Sequence, residues 1–231
     1  MGRELLICMS DFPFDVDLIH TKALEAVHKE REGYTLSKYT VANISLFGSR
    51  LYGTSTPDSD YDFIVIVATG DYYAGPVLLE EGLLNLNIYH CEYWAQLLRE
   101  NVIWVLMTQY IPESFIWKKT IQFTVPLMKA GIKKYAAMDA DHHYHKAKRS
   151  WNIEGNYHKA KKNLVHGLRC LRYAIQIATQ EHISNWEEGN HYWEEIKVDQ
   201  HTEWPHYETI YKPLYVATLE ELSQLCTPPP F

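Results

Sequence analysis

Residues 47–66 read F-G-S-R-L-Y-G-T-S-T-P-D-S-D-Y-D-F-I-V-I. The end of this stretch runs on into residues 61–68, YDFIVIVA, which are apolar almost throughout after Asp62. Such a run predicts a central strand buried on both faces. Residues 41–47, VANISLF, predict a strand just before it. Between the two, residues 48–60 are rich in Gly, Ser, Thr, Pro and Asp and predict a loop. Gly48 and Ser49 follow the first strand directly. Glycine lets backbone approach an anion, and a strand-to-turn junction presents N–H groups to phosphate. Ser49 adds a hydroxyl donor. Asp60 and Asp62 stand two apart at the head of the second strand, where strand periodicity places both on one face. Two parallel carboxylates repel unless a cation lies between them. Mg²⁺, a hard ion that prefers oxygen ligands and bridges to phosphates, suits that place.

Working outward, residues 17–32 predict a helix carrying Leu18, Leu24 and Val27 on one face, ended by Gly33 and Tyr34. Thr69–Pro76 reads as a turn region, residues 83–90 as a third strand with alternating polarity, and residues 92–110 as helix. From about residue 113 the pattern turns helical. Residues 157–180 place Leu164, Leu168, Leu171 and Ile175 on one stripe, with Asn156 as N-cap. The tail Cys226–Phe231, with three consecutive prolines, reads as frayed or extended. The expected order is helix, strand, loop, strand, strand, helix, then a helical lobe, with a boundary near residue 115.

Of the 231 residues, 46% are apolar and 22% charged, which excludes disordered, collagen-like and coiled-coil chains. Cysteines 8, 91, 170 and 226 are far apart, so no CxxC redox or zinc pair exists, and four reduced thiols are expected. No signal-peptide core or myristoylation pattern is seen at the N-terminus, and no apolar run approaches the ~20 residues of a membrane span. The expectation is a soluble intracellular protein, cytoplasmic or nuclear, with no membrane partner; the oligomeric state stays open. The net charge of −7 is uneven. Residues 118–172 carry 13 basic and 3 acidic side chains, while both flanks are acidic. Such a block suits a polyanion, or pairs with the flanks as a solvated helical surface.

The segment G-S-R-L-Y-G-T-S-T-P-D-S-D-Y-D resembles the GS…DxD signature of the DNA polymerase beta-like nucleotidyltransferase superfamily. Its GSRxYG and TPxSDYD forms are closest to predicted nucleotidyltransferases that include phage RNA-repair enzymes. N-I-Y-H-C-E-Y-W (87–94) resembles the third-strand region of that family, and K-N-L-V-H-G-L-R (162–169) its C-terminal helix. The resemblance implies an α+β fold: a small mixed sheet with helices on one side (1–115), plus a helical lobe (116–231). It implies a nucleoside triphosphate substrate between the two, held by Gly48, Ser49 and the adjacent Arg50. It further implies that Asp60 and Asp62 bind Mg²⁺ or Mn²⁺ and catalyse transfer of a nucleoside monophosphate to a hydroxyl acceptor. The third family carboxylate aligns with Asn85, or else Asn87, and an amide offers only a neutral oxygen to a metal. Glu80 and Glu81 lie just upstream.

Lys162, His166 and Arg169 step by four and three along the C-terminal helix and so share a face, which Arg172 extends. Together with the motif, this face is expected to contact the triphosphate or an RNA end. Asp141, His142, His143 and His145 form a histidine-rich run that reads as surface helix, and Cys170 reads as packing. The function expected is RNA-end nucleotidyl transfer. Two alternatives are a catalytically degenerate nucleotide- or RNA-binding module, for which Asn85 speaks, and a protein-modifying nucleotidyltransferase using the same site.

Overall fold

The computed structural model describes residues 12–30 and 39–227. The expectations for Cys8, the extreme N-terminus, the helix end at Gly33 and Tyr34, and residues 228–231 of the tail lie outside the described residues. The described chain forms two compact units. One comprises residues up to Leu98 together with Ile111–Val125; the other comprises Arg99–Tyr110 and the residues from Pro126 onward.

The first unit is built on a mixed five-stranded sheet, ordered β3-β4-β2-β1-β5. Its strands are β1 (Thr40–Phe47), β2 (Tyr61–Ala68), β3 (Val77–Glu81), β4 (Leu84–His90) and β5 (Ile116–Lys119). As expected, β2 is central, and Phe63 to Val67 are buried on both faces. It pairs antiparallel with β1 and parallel with β4. Helix α1 (Val16–Glu30) lies against β1, β3 and β4. Its buried stripe is Ile19, Ala23, Ala26 and Val27, and its Lys22 reaches Glu81 at 2.8 Å. The apolar face of α1 covers one side of the sheet, where Phe63 packs edge-on to Trp117 of β5. Immediately after β1, a single turn, α2 (Gly48–Leu51), begins. Helix α3 (Cys91–Arg99) follows β4 without a break.

Two strands were not anticipated. β3 forms a hairpin with β4 across Gly82 and Leu83, and β5 pairs antiparallel with β1. The expected helix over 92–110 is interrupted. After α3 the chain turns at Asn101 (φ +57°) before the short α4 (Ile103–Met107). Asn101 is fully buried because its amide takes over the work of backbone. Its Oδ1 accepts from Met128 N–H at 2.7 Å and its Nδ2 donates to the Pro126 carbonyl at 3.1 Å.

The second unit is helical: α4, α5 (Lys129–Asn152), α6 (Tyr157–Gln180), α7 (Asn190–Val198) and α8 (Trp204–Cys226). Ala136, Ala140 and Ala147 on the buried side of α5 allow close approach to α6. Asn156 caps α6 as expected, its side chain accepting from Lys159 N–H at 3.0 Å. Leu164, Leu168 and Leu171 are fully buried. Trp151, Trp204 and Tyr207 form an aromatic cluster between α5 and α8.

Candidate active site

The site in the sheet unit is set by strand register. Phe47 pairs with Asp62, so the chain leaves β1 beside Asp62 and turns at once into Gly48. Gly48 adopts φ +70°, which a side chain strongly disfavours. A Cβ there would also lie 3.1 Å from Asp62 Cγ and closer still to Oδ2. Bare backbone therefore packs onto the carboxylate, and only glycine fits. The sequence reading expected this glycine to approach a phosphate; the group it meets here is the Asp62 carboxylate.

On the other side of Asp62, the parallel register pairs it with Asn85, whose Nδ2 donates to Asp62 Oδ1 at 3.2 Å. Asn87 pairs one step further along, with Ile64, so Asn85 is the amide beside the aspartates. Glu80 of β3 pairs with Asn85 in turn. Paired residues share a sheet face, so Glu80, Asn85 and Asp62 make one row across three strands. Glu81 points to the opposite face, where Lys22 of α1 holds it. Of the two upstream glutamates, Glu80 alone shares the site's face.

Asp60 is exposed just ahead of β2, and Asp62 is half-buried. Arg50 fastens the turn that carries them. Its guanidinium lies 3.5 Å over the Tyr61 ring, while Nη2 donates to the Ser59 carbonyl at 2.5 Å and Nε to the Asp60 carbonyl at 3.2 Å. The expectation that Arg50 reaches toward phosphate meets a different geometry: the loop returns over α2, and Arg50 braces it. Ser49 occupies the second position of α2, its carbonyl accepting from Thr54 N–H at 2.9 Å.

Asp60 and Asp62 offer carboxylate oxygens, the donor type a hard divalent ion prefers. The third place does not fit a cation in the same way, because Asn85 turns its N–H toward Asp62.

The face of α6 proposed from sequence divides in the structure. Lys162 is exposed; Arg169 is buried, with Nη2 donating to Asn190 Oδ1 at 2.9 Å; Arg172 pairs with Glu221 at 3.0 Å. His166 is half-buried against the His143 ring of α5, with centroids 4.2 Å apart. The three do not form one solvated cationic face, because the buried surface of α6 is wider than its leucine stripe. The histidine-rich run of α5 also corrects the sequence reading: His142 and His145 are exposed, but His143 turns inward.

A glycine-tight turn is thus laid against the Asp62 carboxylate at the head of β2, on a mixed sheet. Residues 29–125 match the nucleotidyltransferase domain family, which bears out the resemblance read from the motif. A crystal structure of a nucleotidyltransferase-like protein from Exiguobacterium sibiricum 255-15 is 14% identical, aligning over 88% of this chain and 74% of that one with a TM-score of 0.25. A likeness that slight carries no argument. No match to a curated protein was found. Among the described residues, no helix is long and apolar enough to cross a membrane.

Proposed function

We propose that the chain transfers a nucleoside monophosphate from an NTP to a hydroxyl acceptor, with Asp60 and Asp62 as the catalytic pair. The observation that carries this reading is the enforced packing of Gly48 backbone on Asp62, on a stretch that matches the nucleotidyltransferase domain. Gly48 and Ser49 would bind the triphosphate through backbone N–H groups and the Ser49 hydroxyl. Arg50 positions Asp60 and Asp62 by holding the carbonyls between them and the turn. Mg²⁺ or Mn²⁺, when held by the two aspartates, would neutralise phosphate charge and acidify the attacking hydroxyl. Asn85 restrains Asp62 by hydrogen bond, and Glu80 carries a further carboxylate in the same row. The basic block 118–172 favours an RNA end as acceptor, with Lys162 among its exposed cations.

Incubation with each α-labelled NTP, Mg²⁺ or Mn²⁺, and total RNA tests this. Label appearing on RNA and abolished by Asp60→Ala or Asp62→Ala is the expected result. Label on protein instead would point to a protein-modifying enzyme. NTP binding without transfer to any acceptor would make the chain a binding module, the reading that Asn85 favours.

A further inference from the structure

Within the helical unit, four side chains converge from two paired helices: Asp139 and His143 of α5, and His166 and Cys170 of α6. Each pair is spaced by four residues, so each lies on one helical face. His143 Nε2 is 3.8 Å from Asp139 Oδ1, and His166 Nε2 is 3.6 Å from Cys170 Sγ. The ligand atoms of Asp139, His143 and His166 all lie within 4.8 Å of one another. Zinc bond lengths to N, O and S imply ligand–ligand edges of about 3.3–3.5 Å in a tetrahedron. Asp139, His143 and His166 are thus spaced slightly wider than three corners of such a tetrahedron, and Cys170 Sγ, beside His166, stands as the candidate fourth corner.

Two further features distinguish it from an ordinary polar core. His143 Nδ1 lies 3.3 Å from Asn163 Oδ1, and a proton on Nδ1 directed at that oxygen turns the Nε2 lone pair to the cluster. A partner on the second ring nitrogen that fixes the tautomer is what metal-bound histidines require. In addition, the Cys170 thiol is hydrogen-bonded to the Asp139 carboxylate, whose Oδ2 is buried with no partner by geometry, a costly position that a cation would relieve.

We propose that Asp139, His143, His166 and Cys170 form a closed, four-ligand site for a borderline transition-metal ion, Zn²⁺ above all, that clamps α5 to α6. Binding breaks the Cys170 S–H bond, forms a metal–sulfur bond and releases one proton to water. With a thiolate, a carboxylate and two neutral imidazoles, a divalent ion makes the site neutral overall, as burial demands. The surroundings are consistent with this ligand set. Burial lowers the basicity of both His143 and His166. Burial, then the Asp139 charge, keeps the Cys170 thiol protonated until a cation enters. With all four positions taken by protein the site is structural, distinct from Asp60 and Asp62.

The test uses the full chain, freed of metal and titrated with Co²⁺. One equivalent should produce the intense visible bands of tetrahedral cobalt together with thiolate-to-cobalt charge transfer in the near ultraviolet, and Zn²⁺ should bleach both. Cys170→Ser should remove the charge-transfer band, and His143→Gln should weaken binding at least tenfold. The bands should survive in His206→Ala, which disables the other Asp–His group (Asp199, His201, His206), in Asp60→Asn/Asp62→Asn, and in Cys8→Ser/Cys91→Ser/Cys226→Ser. Zn²⁺ should raise the melting temperature of the wild type. Should Cys170→Ser not fold, the wild-type spectrum and the survival of its thiolate band in the Cys8/Cys91/Cys226 variant decide the matter. Absence of a stoichiometric thiolate band in the wild type, or its loss in His206→Ala, would overturn the assignment.

Discussion

Gly48 presents bare backbone to the Asp62 carboxylate so closely that no side chain fits between them. Gly48→Ala therefore imposes two penalties at once, a left-handed φ of +70° and a collision with Asp62. The backbone strain alone is worth about 1–2 kcal/mol. The expected outcome is a folded protein by circular dichroism whose nucleotidyl transfer falls by about 10²-fold or more, because Asp62 is pushed off its mark. Retained activity would mean that the turn plays no part in positioning Asp62.

Glu80, Asn85 and Asp62 stand in one row, so the row has a carboxylate at each end and an amide in the middle. Glu80→Gln is expected to slow metal-dependent transfer about tenfold. Asn85→Asp is expected to raise it, and to make Glu80 dispensable in the double variant. Steady-state rates at several Mg²⁺ concentrations read both effects. An unaltered rate in Glu80→Gln would show that this glutamate is only a surface residue.

Arg50 combines a stacked face on Tyr61 with two carbonyl acceptors. Lysine keeps the charge but has neither the plane nor the fork. Arg50→Lys should thus lower stability by about 1–2 kcal/mol, most of what Arg50→Ala loses. Transfer should suffer mainly in kcat, since the turn that carries Asp60 is loosened. A pure rise in KM, with thermal unfolding unchanged, would instead assign Arg50 to nucleotide binding.

Asp199 ties together the stretch between α7 and α8. It accepts from His201 N–H at 2.9 Å, faces His201 Nδ1 at 2.7 Å and His206 Nε2 at 2.8 Å, and its carbonyl takes the Lys161 ammonium. Burial pushes its carboxyl up, but the His201 N–H and the two imidazoles outweigh that and hold it well below the usual carboxylate range. A depressed carboxylate contributes stability above its unfolded value, and that stability is lost as pH falls below about 4. Asp199→Asn should lower stability at neutral pH and flatten its decline between about pH 4 and pH 2. Denaturant unfolding across that range measures the slope.

The readable parts of the sequence were those whose signal is local. Tyr61–Ala68 showed itself as a strand because an apolar run of that length at a sheet's centre needs no partner to be recognised. Asn156 and the leucines of α6 were equally legible. What escaped was decided across the fold. β3 (VLLEE) has a single fully buried residue and is a strand only because β4 folds back on it. β5 is four residues long and owes its existence to the β1 edge. The Arg50 clamp depends on a loop that returns from Ser59. His143 meets His166 only once α5 and α6 pair, 23 positions apart in sequence, where no periodicity could disclose it.

Because Ile116–Lys119 belongs to the sheet and Arg99–Tyr110 to the helical unit, the polypeptide passes from one unit to the other three times. No single scission can therefore release either unit whole. A fragment stopping at Leu98 would bare the hydrogen-bonding edge of β1 that Ile116–Lys119 otherwise covers, and such an open edge invites strand addition from neighbouring chains. The two units are in this sense stitched rather than joined: the expression of one intact, and its protection from aggregation during synthesis, depends on sequence that lies beyond the start of the other.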